Sequence, residues 1–94
     1  MSKKYELTSD SITMNGHIVY RIRALRSFSD VKAGDLGGYV ESEKNLSQDD
    51  NSWVYYIAKA SGDACVYGNA RISGGARVTG SAQVFGNAWV FGNT

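Results

Sequence analysis

Ala64-Cys-Val-Tyr-Gly-Asn69, Ala70-Arg-Ile-Ser-Gly-Gly75, Ala76-Arg-Val-Thr-Gly-Ser81, Ala82-Gln-Val-Phe-Gly-Asn87 and Ala88-Trp-Val-Phe-Gly-Asn93 follow one another without a gap. The same six-residue unit is legible one step earlier, in Ala58-Lys-Ala-Ser-Gly-Asp63, and its aliphatic position survives in Ser52-Trp-Val54. It dissolves in Leu46-Ser-Gln-Asp-Asp-Asn51, so the repeat runs from about residue 52 to the last residue. A fixed period of this kind is the signature of a repeat architecture. Side chains alternate across an extended strand, so the first and third residues of each unit share one side. Ala64, Ala70, Ala76, Ala82 and Ala88 supply a small inward group. Val66, Ile72, Val78, Val84 and Val90 supply a branched one. Gly-Asn then turns the chain, because both residues tolerate the positive φ of a tight corner. A helix is excluded, since a six-residue beat leaves the 3.6-residue face and a glycine every sixth residue is costly there. A hairpin meander would favour Asn-Gly or Asp-Gly turns over Gly-Asn at every corner. The expected form is a coil.

These units resemble the hexapeptide-repeat family, with Val66/Ala70, Ile72/Ala76, Val78/Ala82 and Val84/Ala88 as its aliphatic and small positions over residues 52 to 94. The resemblance implies an all-β fold, a short left-handed parallel β-helix of triangular section. The left hand is implied by the resemblance alone, because crossover sterics favour the right. The segment from Asp35 to Gln48 and the run Tyr20-Arg-Ile-Arg-Ala-Leu25 also resemble the leader of uncharacterised bacterial and prophage proteins that carry the repeat. Some of those are labelled transferases on fold grounds.

With three units per turn, residues 18 apart stack at the ordinary strand spacing of about 4.8 Å. Trp53, Arg71 and Trp89 then form one outward column, and Tyr55, Ser73 and Phe91 the next. Lys59 lies over Arg77, Cys65 under Gln83, and Tyr67 under Phe85. A cation–π contribution of about 0.5–1 kcal/mol per contact is expected in the first column. Outward rings on adjacent faces make a larger apolar surface than a soluble monomer normally shows. The candidate binding residues are therefore Trp53, Tyr55, Tyr67, Arg71, Phe85, Trp89 and Phe91. Burial of these rings under an N-terminal segment folding back is the alternative.

The N-terminal third has a different character. Ser11-Ile-Thr-Met14, Asn15-Gly16 and His17-Ile-Val-Tyr-Arg-Ile-Arg-Ala-Leu25 read as a β-hairpin with a type I′ turn. Ile18, Tyr20, Ile22 and Ala24 share one side of its second strand and are expected to cover the end of the coil. Residues 1–38 are thus a hairpin cap with turns, 39–51 a transition and 52–94 the repeats, in one domain of 94 residues. No cap residue follows the last unit, so an open strand edge at the C-terminal end is expected to pair with another chain.

Composition narrows the function. With 43% apolar and 20% charged residues the chain is neither disordered nor fibrous. A net charge of +1 argues against nonspecific nucleic-acid binding. The charge is nevertheless uneven: residues 1–34 hold six basic and three acidic groups, and residues 35–50 one and five. Arg21, Arg23 and Arg26 form a secondary basic patch, and Glu41, Glu43, Asp49 and Asp50 a local acidic one. One cysteine, Cys65, and one histidine, His17, exclude a disulfide framework and paired-ligand metal sites. No cofactor or metal is expected, no apolar run is long enough to span a membrane, and a reducing, cytoplasmic setting is the default.

Catalysis is not expected. Acyltransferases of the hexapeptide-repeat family place a histidine base in the coil, whereas no histidine follows His17 here. Cys65 has no neighbouring base in sequence. The expected function is a non-catalytic, oligomeric binding or assembly protein. Its expected partner is itself, as dimer or trimer, through the aromatic faces or the open end. The leader's resemblance adds a host protein as a second partner, with the chain acting as a phage-type inhibitor of a host surface. The competing reading is an acyltransferase or a remnant of one, with His17 at a subunit boundary.

Overall fold

The computed structural model describes residues 3–91 except 15, 29, 49 and 56; of Met14 it describes the backbone alone. The C-terminal half of the last repeat unit, residues 92–94, and Asn15 of the expected turn therefore lie outside the described residues. Among the described residues all regular structure is strand apart from one 3-10 turn, Glu43–Asn45.

Three long strands come first: β1 (Tyr5–Met14), β2 (His17–Ala24) and β3 (Leu36–Val40). β1 and β2 pair antiparallel with Met14 opposite His17, and Gly16 takes φ 85° between them, so the expected hairpin is present. β2 pairs antiparallel with β3 in turn. Seven two-residue rungs follow, one per repeat unit: β4 (Trp53–Val54), β5 (Lys59–Ala60), β6 (Cys65–Val66), β7 (Arg71–Ile72), β8 (Arg77–Val78), β9 (Gln83–Val84) and β10 (Trp89–Val90).

Their pairing fixes the geometry. β4, β7 and β10 form one parallel ladder in which Trp53, Arg71 and Trp89 align; β5–β8 and β6–β9 form two more. Every pair within these ladders joins residues 18 apart, so three units make one turn of a three-faced coil. Hydrogen bonds run from each turn to the next: Cys65 N–H donates to Ala82 O (3.0 Å), Tyr67 N–H to Val84 O (2.9 Å) and Arg71 N–H to Ala88 O (3.0 Å). The fifth residue of the unit turns the corner with positive φ, 72° at Gly68, where a Cβ would also meet the Gly86 amide nitrogen at 2.9 Å. A non-glycine residue there would bear both conformational and steric cost.

The coil begins earlier than the repeat. Tyr39 and Val40 in β3 pair parallel with Lys59 and Ala60, and Leu46 bridges to Val66, so residues 36–54 form a first turn. The offset in these two contacts is 20 residues, not 18. The two extra residues fall between Leu46 and Trp53, which is why the repeat loses its beat there. The segment expected as a transition is therefore part of the solenoid. A buried amide replaces the glycine corner: Asn45 Oδ1 accepts from the Glu41 and Ser42 amides, and its Nδ2 donates to Gly62 O and Ala64 O.

Inward positions are as the alternation predicts. Val40, Leu46, Val54, Ala58, Ala60, Ala64, Val66, Ala70, Ile72, Ala76 and Val78 are buried in one continuous core. Ala82 and Ala88 are exposed and Val84 and Val90 half-buried, because no described turn lies over them. On β2 the expected face is corrected. Val19, Ile22 and Ala24 are buried, whereas Ile18 is exposed and Tyr20 half-buried. The register shifts lie on the neighbours of β2, with extra residues between Leu7 and Ser11 on β1 and between Leu36 and Tyr39 on β3, so Ile22 and Ala24 keep the expected face while Val19, on the other face, is buried as well.

Candidate binding surface

Two of the seven candidate residues are covered within the chain, Trp53 wholly and Tyr55 in part. Trp53 is 1% exposed: it occupies the outward side of its rung, aligned with Arg71, but Phe28 and Tyr5 of the leader pack edge-on against it at 5.2 and 6.2 Å between ring centroids. The expectation of an exposed Trp53 is overturned because the leader folds back over this face. Tyr55 is half-buried against the same core and donates its hydroxyl to Asp30 Oδ1 (2.8 Å). It too is engaged within the chain.

The four other rings are exposed, and Arg71 is half-buried. Tyr67 and Phe85 are 38% and 54% exposed and stack nearly parallel, 5.3 Å apart and inclined by 10°. Their 18-residue separation places one directly above the other. Trp89 is 62% and Phe91 64% exposed, meeting edge to face at 5.9 Å. The Arg71 guanidinium lies 6.0 Å from the Trp89 ring, the expected cation–π contact at its outer limit. Trp89 Nε1–H donates to Ser73 Oγ (3.2 Å).

Between these columns runs a corner that the sequence reading treated only as a turn. Asn51, Asn69 and Asn87 stand 18 apart, and Asn69 Nδ2 donates to Asn87 Oδ1 (3.4 Å). With Arg71, Ala88 and Trp89 they line an open groove of about 500 Å³.

The basic patch is corrected as well. Arg21 donates from Nη2 to Tyr39 Oη (2.8 Å), stacks over that ring at 4.7 Å and lies 3.5 Å from Asp10. Arg23 pairs with Glu6. Arg26 reaches Gln48 O at 3.4 Å and lies over Phe28. Each cation is engaged within the chain, so the three do not form a shared cationic surface.

A second open groove, of about 530 Å³, joins the hairpin to the coil and is lined by His17, Glu41, Ser42, Lys44, Gly62 and Asp63. His17 Nδ1 lies 3.1 Å from Glu41 Oε2, while the Gly62 amide donates to Glu41 Oε1 (2.6 Å). The Gly62 amide first, and His17 second, hold the Glu41 carboxyl below its ordinary range. Lys44 donates to Asp63 (2.9 Å), which lowers the Asp63 carboxyl and raises the Lys44 ammonium. The sequence reading left His17 as an isolated exposed residue; 24 residues separate it from Glu41, so no local pattern joins them. Among the described residues no group of three His, Cys, Asp or Glu side chains is arranged to hold a metal ion. No helix of the described residues is long and apolar enough to cross a membrane.

No family model matches the chain. Over 58 residues, 61% of its length, the chain is 38% identical to an uncharacterized acetyltransferase, YdcK, of Escherichia coli (strain K12). It spans 18% of that protein.

Proposed function

We propose that this chain is a non-catalytic binding and assembly module that self-associates through the outer faces of its coil. The observation that carries the reading is the exposure of four large rings, Tyr67, Phe85, Trp89 and Phe91, on two adjacent faces joined by the asparagine corner. Exposed apolar area of this kind is normally covered in a working assembly. A second copy is the fitting occupant. An isologous interface places the same patch of both subunits face to face, so a row of exposed rings can be buried against its own copy. The leader supplies an internal example, since Phe28 and Tyr5 cover the equivalent indole of Trp53 in just this way.

The double variant Phe85→Ser/Trp89→Ser tests this. Both rings are exposed, so thermal stability should change by less than about 1 kcal/mol, while sedimentation should shift from oligomer to monomer. A wild-type chain that sediments as a monomer at micromolar concentration would overturn self-association.

A second reading is favoured by the partial match to an acetyltransferase together with the His17–Glu41 contact. A carboxylate on Nδ1 selects the tautomer whose Nε2 is unprotonated, which is the form a general base requires. On this reading His17 removes a proton from an acceptor hydroxyl or amine in the groove shared with Ser42, Lys44 and Asp63. Acetyl-CoA turnover on a panel of amines and sugars tests it. Activity abolished by His17→Ala and by Glu41→Gln would establish catalysis, and absence of turnover on every acceptor leaves the binding reading in place.

A further inference from the structure

We infer that the groove along the Asn51–Asn69–Asn87 corner is a binding site for a neutral carbohydrate chain. The inference rests on the reading that the coil's outer surface is its working surface, and it names a ligand for one strip of it.

Turn chemistry is compatible with these asparagines but does not by itself require one at every turn. The other two corners of the coil carry Ile57, Gly75 and Asn93, and Asp63 and Ser81, at the same position of the unit, so the corner tolerates several residue types. Only this corner keeps asparagine through three successive turns. Each side-chain amide offers two N–H donors and a carbonyl acceptor. The contact between Asn69 Nδ2 and Asn87 Oδ1 engages one of each, leaving donors and acceptors of both kinds along the groove. A ligand that answers such a mixture must itself carry groups that both donate and accept, as hydroxyls do.

The wall beside them is the indole of Trp89, 62% exposed, with its Nε1–H on Ser73, the Arg71 guanidinium 6.0 Å from the ring centre and Phe91 edge to face with it. Sugar rings are amphipathic: their C–H face packs on an aromatic ring while their hydroxyls meet polar groups at its edge. The Arg71 guanidinium lines the same groove. The lining does not call for a charged ligand. Asp50, next to Asn51, takes the Gly68 amide on its carboxylate at 2.6 Å and lies 3.7 Å from the buried Lys4 ammonium, so its charge is answered within the chain. Burial pushes that carboxyl up, but the Gly68 amide, the Ser52 hydroxyl and Lys4 together hold it below its ordinary value, so it stays charged.

Isothermal titration with maltohexaose, cellohexaose and chitohexaose, with polygalacturonate as the charged comparison, tests the site. At least one neutral hexasaccharide should bind saturably and shift the Trp89 indole emission to the blue, with buried Trp53 as the unmoved reference. Asn69→Ala/Asn87→Ala should weaken that binding by about tenfold or more with unchanged circular dichroism, and Asn87→Ala alone should weaken it less. Three outcomes overturn the proposal: no saturable binding of any neutral hexasaccharide, binding unaffected by the double variant, or binding of polygalacturonate alone with loss at high salt. Sedimentation of the same samples separates this from self-association. Because the proposed interface also uses Trp89, assembly and sugar compete for that ring: Phe85→Ser that dissociates the oligomer should bind the sugar at least as tightly, and a monomeric wild type that binds sugar discards only assembly.

Discussion

Gly38→Ala should cost the protein about 3 kcal/mol or more of folding free energy and lower Tm by more than about 10 °C. Gly37 and Gly38 lie where the antiparallel leader becomes the first turn of the coil. An ideal Cβ on Gly38 would stand 2.3 Å from Ala58 O and 2.6 Å from Val54 Cγ1, and one on Gly37 would stand 2.7 Å from Val54 O. The obstruction at Gly38 is chiefly a backbone carbonyl, and the two strands cannot separate without loss of the bond from Tyr39 N–H to Ala58 O (2.9 Å). Gly80 is the right comparison. It has φ 66° but nothing within 4 Å of its missing Cβ, so Gly80→Ala should cost only the left-handed penalty, about 1 kcal/mol. Urea unfolding of both variants checks the ranking. Equal losses would show that the leader and coil can part at this junction.

Lys4→Met should destabilise the protein by about 3 kcal/mol, against less than about 1 kcal/mol for Lys3→Met next to it. Lys4 is wholly buried. Its Nζ donates to Ser52 O (2.6 Å), Asp50 O (2.9 Å) and Ser52 Oγ (3.3 Å), lies 3.7 Å from Asp50 Oδ1 and stands over the Phe28 ring at 5.1 Å. Methionine fills the same volume but strands buried carbonyl acceptors. Lys3 reaches Glu43 across open solvent, where an ion pair contributes little. Asp50 adds a pH dependence of known sign. Its folded pKa lies below the unfolded one, so its contribution is present above the ordinary carboxylate range and lost as pH falls through the lowered value. Because Lys4 is one of the groups that lower it, Lys4→Met should flatten that acid-side loss. Denaturant titrations at neutral and acid pH measure both effects.

The coil was legible because its information is local. Alternation along an extended strand sends Val66 and Ile72 inward and Tyr67 and Arg71 outward whatever lies elsewhere in the chain. The 18-residue columns of Tyr67 with Phe85 and Arg71 with Trp89 follow from three equal sides. Where two residues were added between Leu46 and Trp53 the period failed, and with it the sign that residues 36–54 belong to the same solenoid. The asparagine corner was visible as a column but was read as a turn, since Gly-Asn serves that purpose by itself.

The sequence by itself determined the beat, the inward alanines and valines, the hairpin and the outward rings of the last units. Only the tertiary structure decided that Trp53 is covered, that Lys4 is a buried donor, that the arginines of β2 are engaged and that His17 meets Glu41. The physical reason is separation along the chain. Lys4 and Ser52 are 48 residues apart and His17 and Glu41 are 24 apart. Backbone geometry transmits a period along neighbouring residues, but nothing local records which distant surface a folded-back leader will meet.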